Sequence, residues 1–330
     1  MADAQANPGI PGSTRTTRLA PSPTGDLHLG NVRSLLLAWA IGRRAGWRVL
    51  LRHEDLDASR ASGDACDAIE DSLRWLGIDW DEDATRQSEH LDPYHDAMRR
   101  LESRRLVFSS SLSRRAVREA AGAPHGGGEV RFPAELRPDD ERAWRFDGSD
   151  TNFRAITRPG PEIVEDELLG THRFDPSSEV GDQIVWTKAG RPAYQLAVVV
   201  DDHRQGVTDV IRGADLLPSA ARQQRLHADL RFETRPRWWH LPIVHDESGR
   251  RLAKRDGDTG VEALRAAGVR PDRIIGLMGR WSGMSGTPRS ITAAAFADLL
   301  DEDALRRMVS REATEPLRFT KEDRRWLLEP

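Results

Sequence analysis

Apolar positions after residue 30 recur at helical spacing, with Leu35, Leu36, Trp39 and Ala40 on one row continued by Arg43, until Gly46 stops the pattern. A short apolar segment through Leu19 precedes this row, and the run Trp47-Arg48-Val49-Leu50-Leu51-Arg52 follows it. The order strand, helix, strand with a short crossover predicts a parallel pair in a doubly wound sheet, with ligands at the C-terminal strand ends. Residues 18–22 and 54–57 should meet there. Ala65, Ile69, Leu73 and Leu76 predict a second amphipathic helix stopped by Gly77, and a third spans 92–106. Short alternating runs between 162 and 188 predict strands closed by a turn at Ala189-Gly190. Residues 207–211 read as a further strand, 216–230 as a helix, and the apolar run 192–202 as a buried strand or the start of a helix. Between 109 and 150 the periodicity dissolves into Ser109-Ser110-Ser111, Gly126-Gly127-Gly128 and a charged stretch, which predicts a loop-rich insertion with room to move.

Composition narrows the class. A chain of 330 residues with 38% hydrophobic content is long enough for two domains and a sizeable core. The formal net charge of −4 excludes a uniformly basic coat, yet 49 Lys and Arg beside 53 acids leave room for a local basic face, so a nucleic-acid partner stays open. Cys66 is the single cysteine and can form neither an internal disulfide nor a zinc site alone. No run of about 18 apolar residues exists, so no membrane partner is expected and the cytoplasm is the default location. Residues 1–14, with Pro8, Gly9, Pro11 and Gly12, read as a disordered lead, and the fold starts near Arg15.

The chemistry concentrates at 21–31, Pro21-Ser22-Pro23-Thr24-Gly25-Asp26-Leu27-His28-Leu29-Gly30-Asn31. This is a strand, a tight turn and a helix N-terminus, whose unpaired N–H groups and dipole suit phosphate. Gly25 and Gly30 let a ligand approach the backbone, and His28 and Asn31 are candidate side-chain donors. Arg52-His53-Glu54-Asp55-Leu56-Asp57 ends the second strand in three carboxylates, which suit a metal, a base pair or an amine. Tyr194 opens the apolar run that ends in Asp201-Asp202. Arg212 precedes Gly213 at a strand end, where its guanidinium fork can hold a carboxylate bidentately. Arg251-Leu252-Ala253-Lys254-Arg255 is a basic loop between Gly249 and Gly257.

Together these strings resemble the class I aminoacyl-tRNA synthetases in the form used by glutamyl enzymes. Residues 21–31 resemble the HIGH signature, with Asn31 in place of the second histidine. Residues 251–255 resemble the KMSKS signature, with Arg251 for the first lysine, Ala253 for the serine and Lys254 at the second lysine. The resemblance covers about 15–285. It implies an α/β fold, a Rossmann-like doubly wound parallel sheet with an inserted α+β acceptor-type subdomain and a short helical C-terminal region. The implied division is 15–107 and 191–245 for the catalytic domain, 108–190 for the insertion and 246–330 for the basic loop and a helical stem-contact-like region, with no anticodon-binding domain. It further implies that Arg18, Leu19, Ala20, Pro21, Ser22, Glu54, Tyr194 and Arg212 bind L-glutamate, with Glu54 on the α-amino group. ATP, taken with Mg2+ as substrate, falls to His28, Gly30, Asn31 and Lys254, the last stabilising pyrophosphate.

Within that family the length and order of the strings resemble the truncated glutamyl-Q tRNA(Asp) synthetase branch, which esterifies glutamate onto queuosine in the anticodon loop of aspartate tRNA. That implies activation without tRNA, a monomer, and tRNA(Asp) carrying queuosine as partner. Many members of that branch hold zinc in the insertion. Here the matching positions carry Ser110, Leu112, Phe132 and Leu136, so no structural zinc is expected. Two other readings remain open: a truncated glutamyl-tRNA synthetase charging a tRNA 3′ end, and an inactive nucleotide- or RNA-binding paralog.

Overall fold

The computed structural model describes residues 15–57, 63–120, 130–148, 151–252, 259–314 and 316–329. The first strand, β1 (Thr16–Leu19), buries all its side chains, as a strand covered on both faces must. It pairs in parallel with β2 (Arg48–His53), Leu19 opposite Leu51, and the helix Leu29–Arg44 makes the crossover. β2 pairs in parallel with the short β3 (Thr85–Arg86). Further along come β4 (Val107–Ser110), β5 (Asn152–Ala155), β6 (Glu162–Asp166), β7 (Gly170–Phe174), β8 (Gln183–Thr187), β9 (Arg191–Pro192), β10 (Asp209–Gly213) and β11 (Arg237–Leu241).

β10, β11 and β6 run parallel, and β7 folds back on β6 as a hairpin. β1 lies beside the start of β10: the Thr208 N–H donates to Thr16 O at 2.9 Å, and Arg18 Nη1 donates to Ile211 O at 3.4 Å. The two parallel sets therefore stand side by side, and their C-terminal ends open on one cleft. β4, β5, β8 and β9 form a separate antiparallel sheet. The crossover helix presses Leu29, Val32, Leu36 and Ala40 into the main core at 0% exposure, each leucine contributing roughly 1.5–3 kcal/mol by burial. The fold is thus the α/β doubly wound architecture expected from the sequence.

Several elements depart from the periodicity. The first helix begins at Leu29, before the apolar row, because His28 caps it. The third stops at Ser103, where Arg105 adopts a φ of 52° and turns the chain into β4. The run 192–202 resolves into the helix Tyr194–Arg204. The stretch 109–150 holds the helix Arg114–Ala120 and the turns Ala134–Leu136 and Glu141–Trp144, gathered on a small core of Phe108, Val117 and Phe132. The β6–β7 hairpin falls within the 108–190 span read as an insertion, yet Asp166 pairs with Trp238 and extends the parallel sheet. Gly126 to Gly128 and the lead 1–14 lie outside the described residues. Among the described residues no helix is long and apolar enough to cross a membrane.

Candidate active site

The cleft at the strand ends is a cavity of about 500 Å³. Arg18, Glu54, Tyr194 and Arg212 line it together with His28 and Asn31, so residues far apart in sequence share one space. Ala20, Pro21, Ser22, Gly30 and Arg251 also line it. Leu19 does not: strand alternation turns its side chain away from that of Arg18 and into the core, at 0% exposure. Ala253, Lys254 and Arg255 lie outside the described residues.

Behind Arg18 and Glu54 lies a buried charge network. Arg52 Nη1 meets Asp202 Oδ1 at 2.8 Å, Arg18 Nε meets the same oxygen at 3.3 Å, and Arg52 Nη2 reaches Glu54 Oε1 at 3.4 Å. Buried charges persist only when paired in this way. Burial pushes the Asp202 carboxyl up, but the Arg52 and Arg18 guanidinium groups outweigh it and hold the carboxyl below its ordinary value. For Glu54 burial wins over the same two arginines and the carboxyl sits above its usual value. An ammonium group placed beside Glu54 would add to the positive charge of the two arginines, which burial outweighs.

Arg212 forms one wall. Its side chain is held by neutral acceptors: Nε donates to His240 Nε2 at 3.0 Å, Nη1 to Gln223 Oε1 at 2.8 Å and Nη2 to Leu216 O at 3.2 Å. Burial pulls its pKa below the ordinary value, and Arg18 adds repulsion. An incoming carboxylate would meet a cation that is fixed in place and short of anionic company.

The phosphate-friendly end is built by the first helix. His28 is its N-cap: Nδ1 accepts from the Gly30 N–H at 3.1 Å, and Asn31 Oδ1 accepts from the His28 N–H at 3.4 Å, a capping box. Gly30 leaves room for the ring to fold back; a Cβ there would stand 3.0 Å from His28 Cε1, and the ring would have to give way. Gly25 takes a φ of 118°, a conformation that glycine supplies in the turn before it. Since Nδ1 and Oδ1 serve the helix, His28 Nε2 and Asn31 Nδ2 are the donors these side chains can turn toward a ligand.

Both ends of the basic-loop segment are anchored at this cavity. On entry, the Leu252 N–H donates to Val244 O at 2.9 Å, and Arg251 forms an ion pair with Asp215 at the cleft mouth. On exit, the Leu29 N–H donates to Thr259 O at 3.0 Å and the Val261 N–H to Leu27 O at 2.8 Å. Backbone hydrogen bonds thus tie Thr259 and Val261, just beyond the second signature, to Leu29 and Leu27 of the first.

Sequence reasoning missed Arg52, Asp202, Asp215, Gln223 and His240 as parts of this site. Arg52 and Asp202 lie in the strings 52–57 and 192–202, where spacing alone gives them no role. His240 sat in the apolar run Trp238-Trp239-His240-Leu241, where one polar residue inside a buried strand was the available signal. Of the four positions matched to zinc ligands, Ser110 and Phe132 are buried, Leu136 packs on the Phe108, Val117 and Phe132 core, and Leu112 is exposed.

The family described as tRNA synthetases class I (E and Q), catalytic domain, matches residues 15–309. A protein of Deinococcus radiodurans named glutamyl-Q tRNA(Asp) synthetase is 40% identical over 87% of this chain and 96% of its own length. A glutamate--tRNA ligase of Azorhizobium caulinodans is 35% identical over 89% of this chain and 62% of its own. A glutamate tRNA ligase of Elizabethkingia meningosepticum, crystallised with its amino acid, superposes with a TM-score of 0.77 over 96% of this chain and 69% of its own, at 22% identity, which establishes the shared fold. The chain belongs to the class I tRNA synthetases of the E and Q type.

Proposed function

We propose that this enzyme activates L-glutamate with ATP without tRNA and transfers the glutamyl group to queuosine in the anticodon loop of tRNA(Asp). The observation that carries the glutamate half is the meeting of Arg18, Glu54 and Arg212 in one cavity beside the helix N-terminus at His28. Their charges complement two carboxylates and an ammonium group. Arg212 takes the side-chain carboxylate, Glu54 the α-ammonium, and Tyr194 with the 18–22 backbone the remainder. Leu19 contributes through its backbone alone.

In the first step an α-carboxylate oxygen attacks the α-phosphorus of Mg·ATP. The bond to the bridging β-phosphate oxygen breaks and pyrophosphate leaves. His28 Nε2, Asn31 Nδ2 and the helix N-terminus meet the phosphates, and Lys254 meets the charge that develops on pyrophosphate. In the second step a hydroxyl of the queuosine cyclopentenediol attacks the acyl carbon, and AMP and a proton are released. Positioning and charge neutralisation carry both steps, and no protein nucleophile is assigned.

Relatives named glutamyl-Q tRNA(Asp) synthetase, matched along nearly their whole length, support the queuosine acceptor. The domain division belongs to the same proposal: 15–107 and 191–245 form the catalytic fold, its sheet extended by the β6–β7 hairpin from within 108–190. A cytoplasmic monomer completes it. The 35% identity to a glutamate--tRNA ligase favours one second reading, charging of a tRNA 3′ end. Assays with labelled glutamate on tRNA(Asp) with and without queuosine, and on tRNA(Glu), separate the two. Product that forms on tRNA(Glu) alone overturns the queuosine assignment.

A further inference from the structure

Arg212 is more than buried: its direction is set by a chain of hydrogen bonds that starts at a fixed carboxylate. Asp166 Oδ1 accepts the backbone N–H groups of Leu168 and Leu169 at 3.0 and 2.9 Å, and Oδ2 accepts that of His240 at 3.0 Å. The same Oδ2 lies 2.6 Å from His240 Nδ1. Both side chains are wholly shielded from solvent. The acceptor at Nδ1 fixes the proton there, which leaves the Nε2 lone pair to receive Arg212 Nε–H at 3.0 Å. Burial pulls the imidazole pKa below its ordinary value, against the pull of Asp166, and so favours the neutral ring that this arrangement needs.

A second chain holds the other side. Gln223 Oε1 accepts from Arg212 Nη1 at 2.8 Å, Gln223 Nε2 donates to Gln195 Oε1 at 2.8 Å, and Gln195 Nε2 donates to Ser219 Oγ at 3.0 Å. The Trp238 ring lies 4.9 Å from the guanidinium carbon. A guanidinium has five N–H donors. With Nε committed to His240, Nη1 to Gln223 and Nη2 to Leu216, one N–H on each terminal nitrogen is left for a carboxylate.

We propose that Asp166 and His240 are positioning residues that aim Arg212 at the substrate side chain and thereby set the preference for glutamate over glutamine. The inference rests on the reading of Arg212 as the partner of the glutamate side-chain carboxylate. Its physical logic is the imidazole spacer. A carboxylate directly against Arg212 would orient it but also neutralise it, and the pocket would then favour an amide as readily as an anion. A neutral imidazole passes on the orientation of Asp166 and leaves the cation with charge to spend on the substrate.

The test is ATP–pyrophosphate exchange with the full-length chain, measured for L-glutamate and L-glutamine, with KM for ATP and Tm recorded for every variant. Asp166→Asn and His240→Phe are expected to raise KM for glutamate about 10- to 100-fold, with KM for ATP within about twofold, and to narrow the glutamate-to-glutamine ratio. His240→Gln, whose Oε1 can accept from Arg212 Nε, should recover part of the loss. Should His240→Phe fail to fold, Asp166→Asn, nearly isosteric, carries the test. If Arg212→Ala removes the glutamate response while folded Asp166→Asn, with His240→Phe where it folds, keeps the wild-type KM and ratio, the positioning role is wrong and the site assignment stands. If Arg212→Ala keeps the wild-type KM, the site assignment falls and this inference with it.

Discussion

Asn31 Oδ1 accepts the backbone N–H of His28 at 3.4 Å, so the residue that departs from the second histidine of the signature holds the first histidine in place. This gives Asn31 a structural duty at the helix start as well as a donor for phosphate. Asn31→Ala should cost about 1 kcal/mol, a fall in Tm of roughly 1–2 °C for a chain of this size, and should raise KM for ATP. Calorimetry and exchange kinetics on the same variant check both. An unchanged Tm would remove the capping role.

Arg251 and Asp215 pair at the cleft mouth with side chains 56% and 25% exposed. An ion pair so exposed contributes no more than about 1 kcal/mol and is screened by salt. Arg251→Ala should therefore leave Tm nearly unchanged and act on nucleotide binding, raising KM for ATP by a factor that shrinks as salt increases. A large loss of stability with normal ATP kinetics would contradict this.

His227 is buried in the helix Leu217–Asp229, and burial pushes its imidazole down to about 4 from an ordinary 6.5. Between those values the unfolded chain binds a proton that the folded chain refuses, so stability rises with pH across this window and is lost as pH falls through it. The size is about 3 kcal/mol, to order of magnitude. Urea unfolding from pH 7 to pH 4 should show the slope, and His227→Gln should flatten it relative to the parent. Parallel pH profiles for the two proteins would contradict the assignment.

Phe132 and Leu136 pack in the small core at two of the positions matched to zinc ligands. Elemental analysis should find no stoichiometric zinc, and EDTA should leave Tm unchanged. Stoichiometric zinc would overturn this expectation.

What the sequence made legible was chemistry at strand ends. Gly25, Gly30, Arg18, Glu54 and Arg212 stand where a run of buried apolar residues breaks, and glycines and charges at such breaks are conspicuous. Leu19 misled because a matched string carries no record of which face a strand residue takes. The support behind the site was hidden for a related reason. Asp166 and Gln223 stand among other polar residues, Glu165 and Glu167 beside the one and Arg222 and Gln224 beside the other, and a hydrogen bond between β6 and β11 leaves no periodicity in either strand. The β6–β7 hairpin reads as part of the insertion on the same account, because its parallel partner β11 lies far along the chain.

The central claim is glutamate activation by this cavity, and its most direct measurement is glutamate-dependent ATP–pyrophosphate exchange by the folded full-length chain without RNA. Exchange should require L-glutamate and be abolished by Arg212→Ala and by Lys254→Ala, the latter in a segment outside the described residues. Folded protein with no exchange would contradict it and favour a binding module, and exchange that survives Arg212→Ala would show that glutamate is held elsewhere.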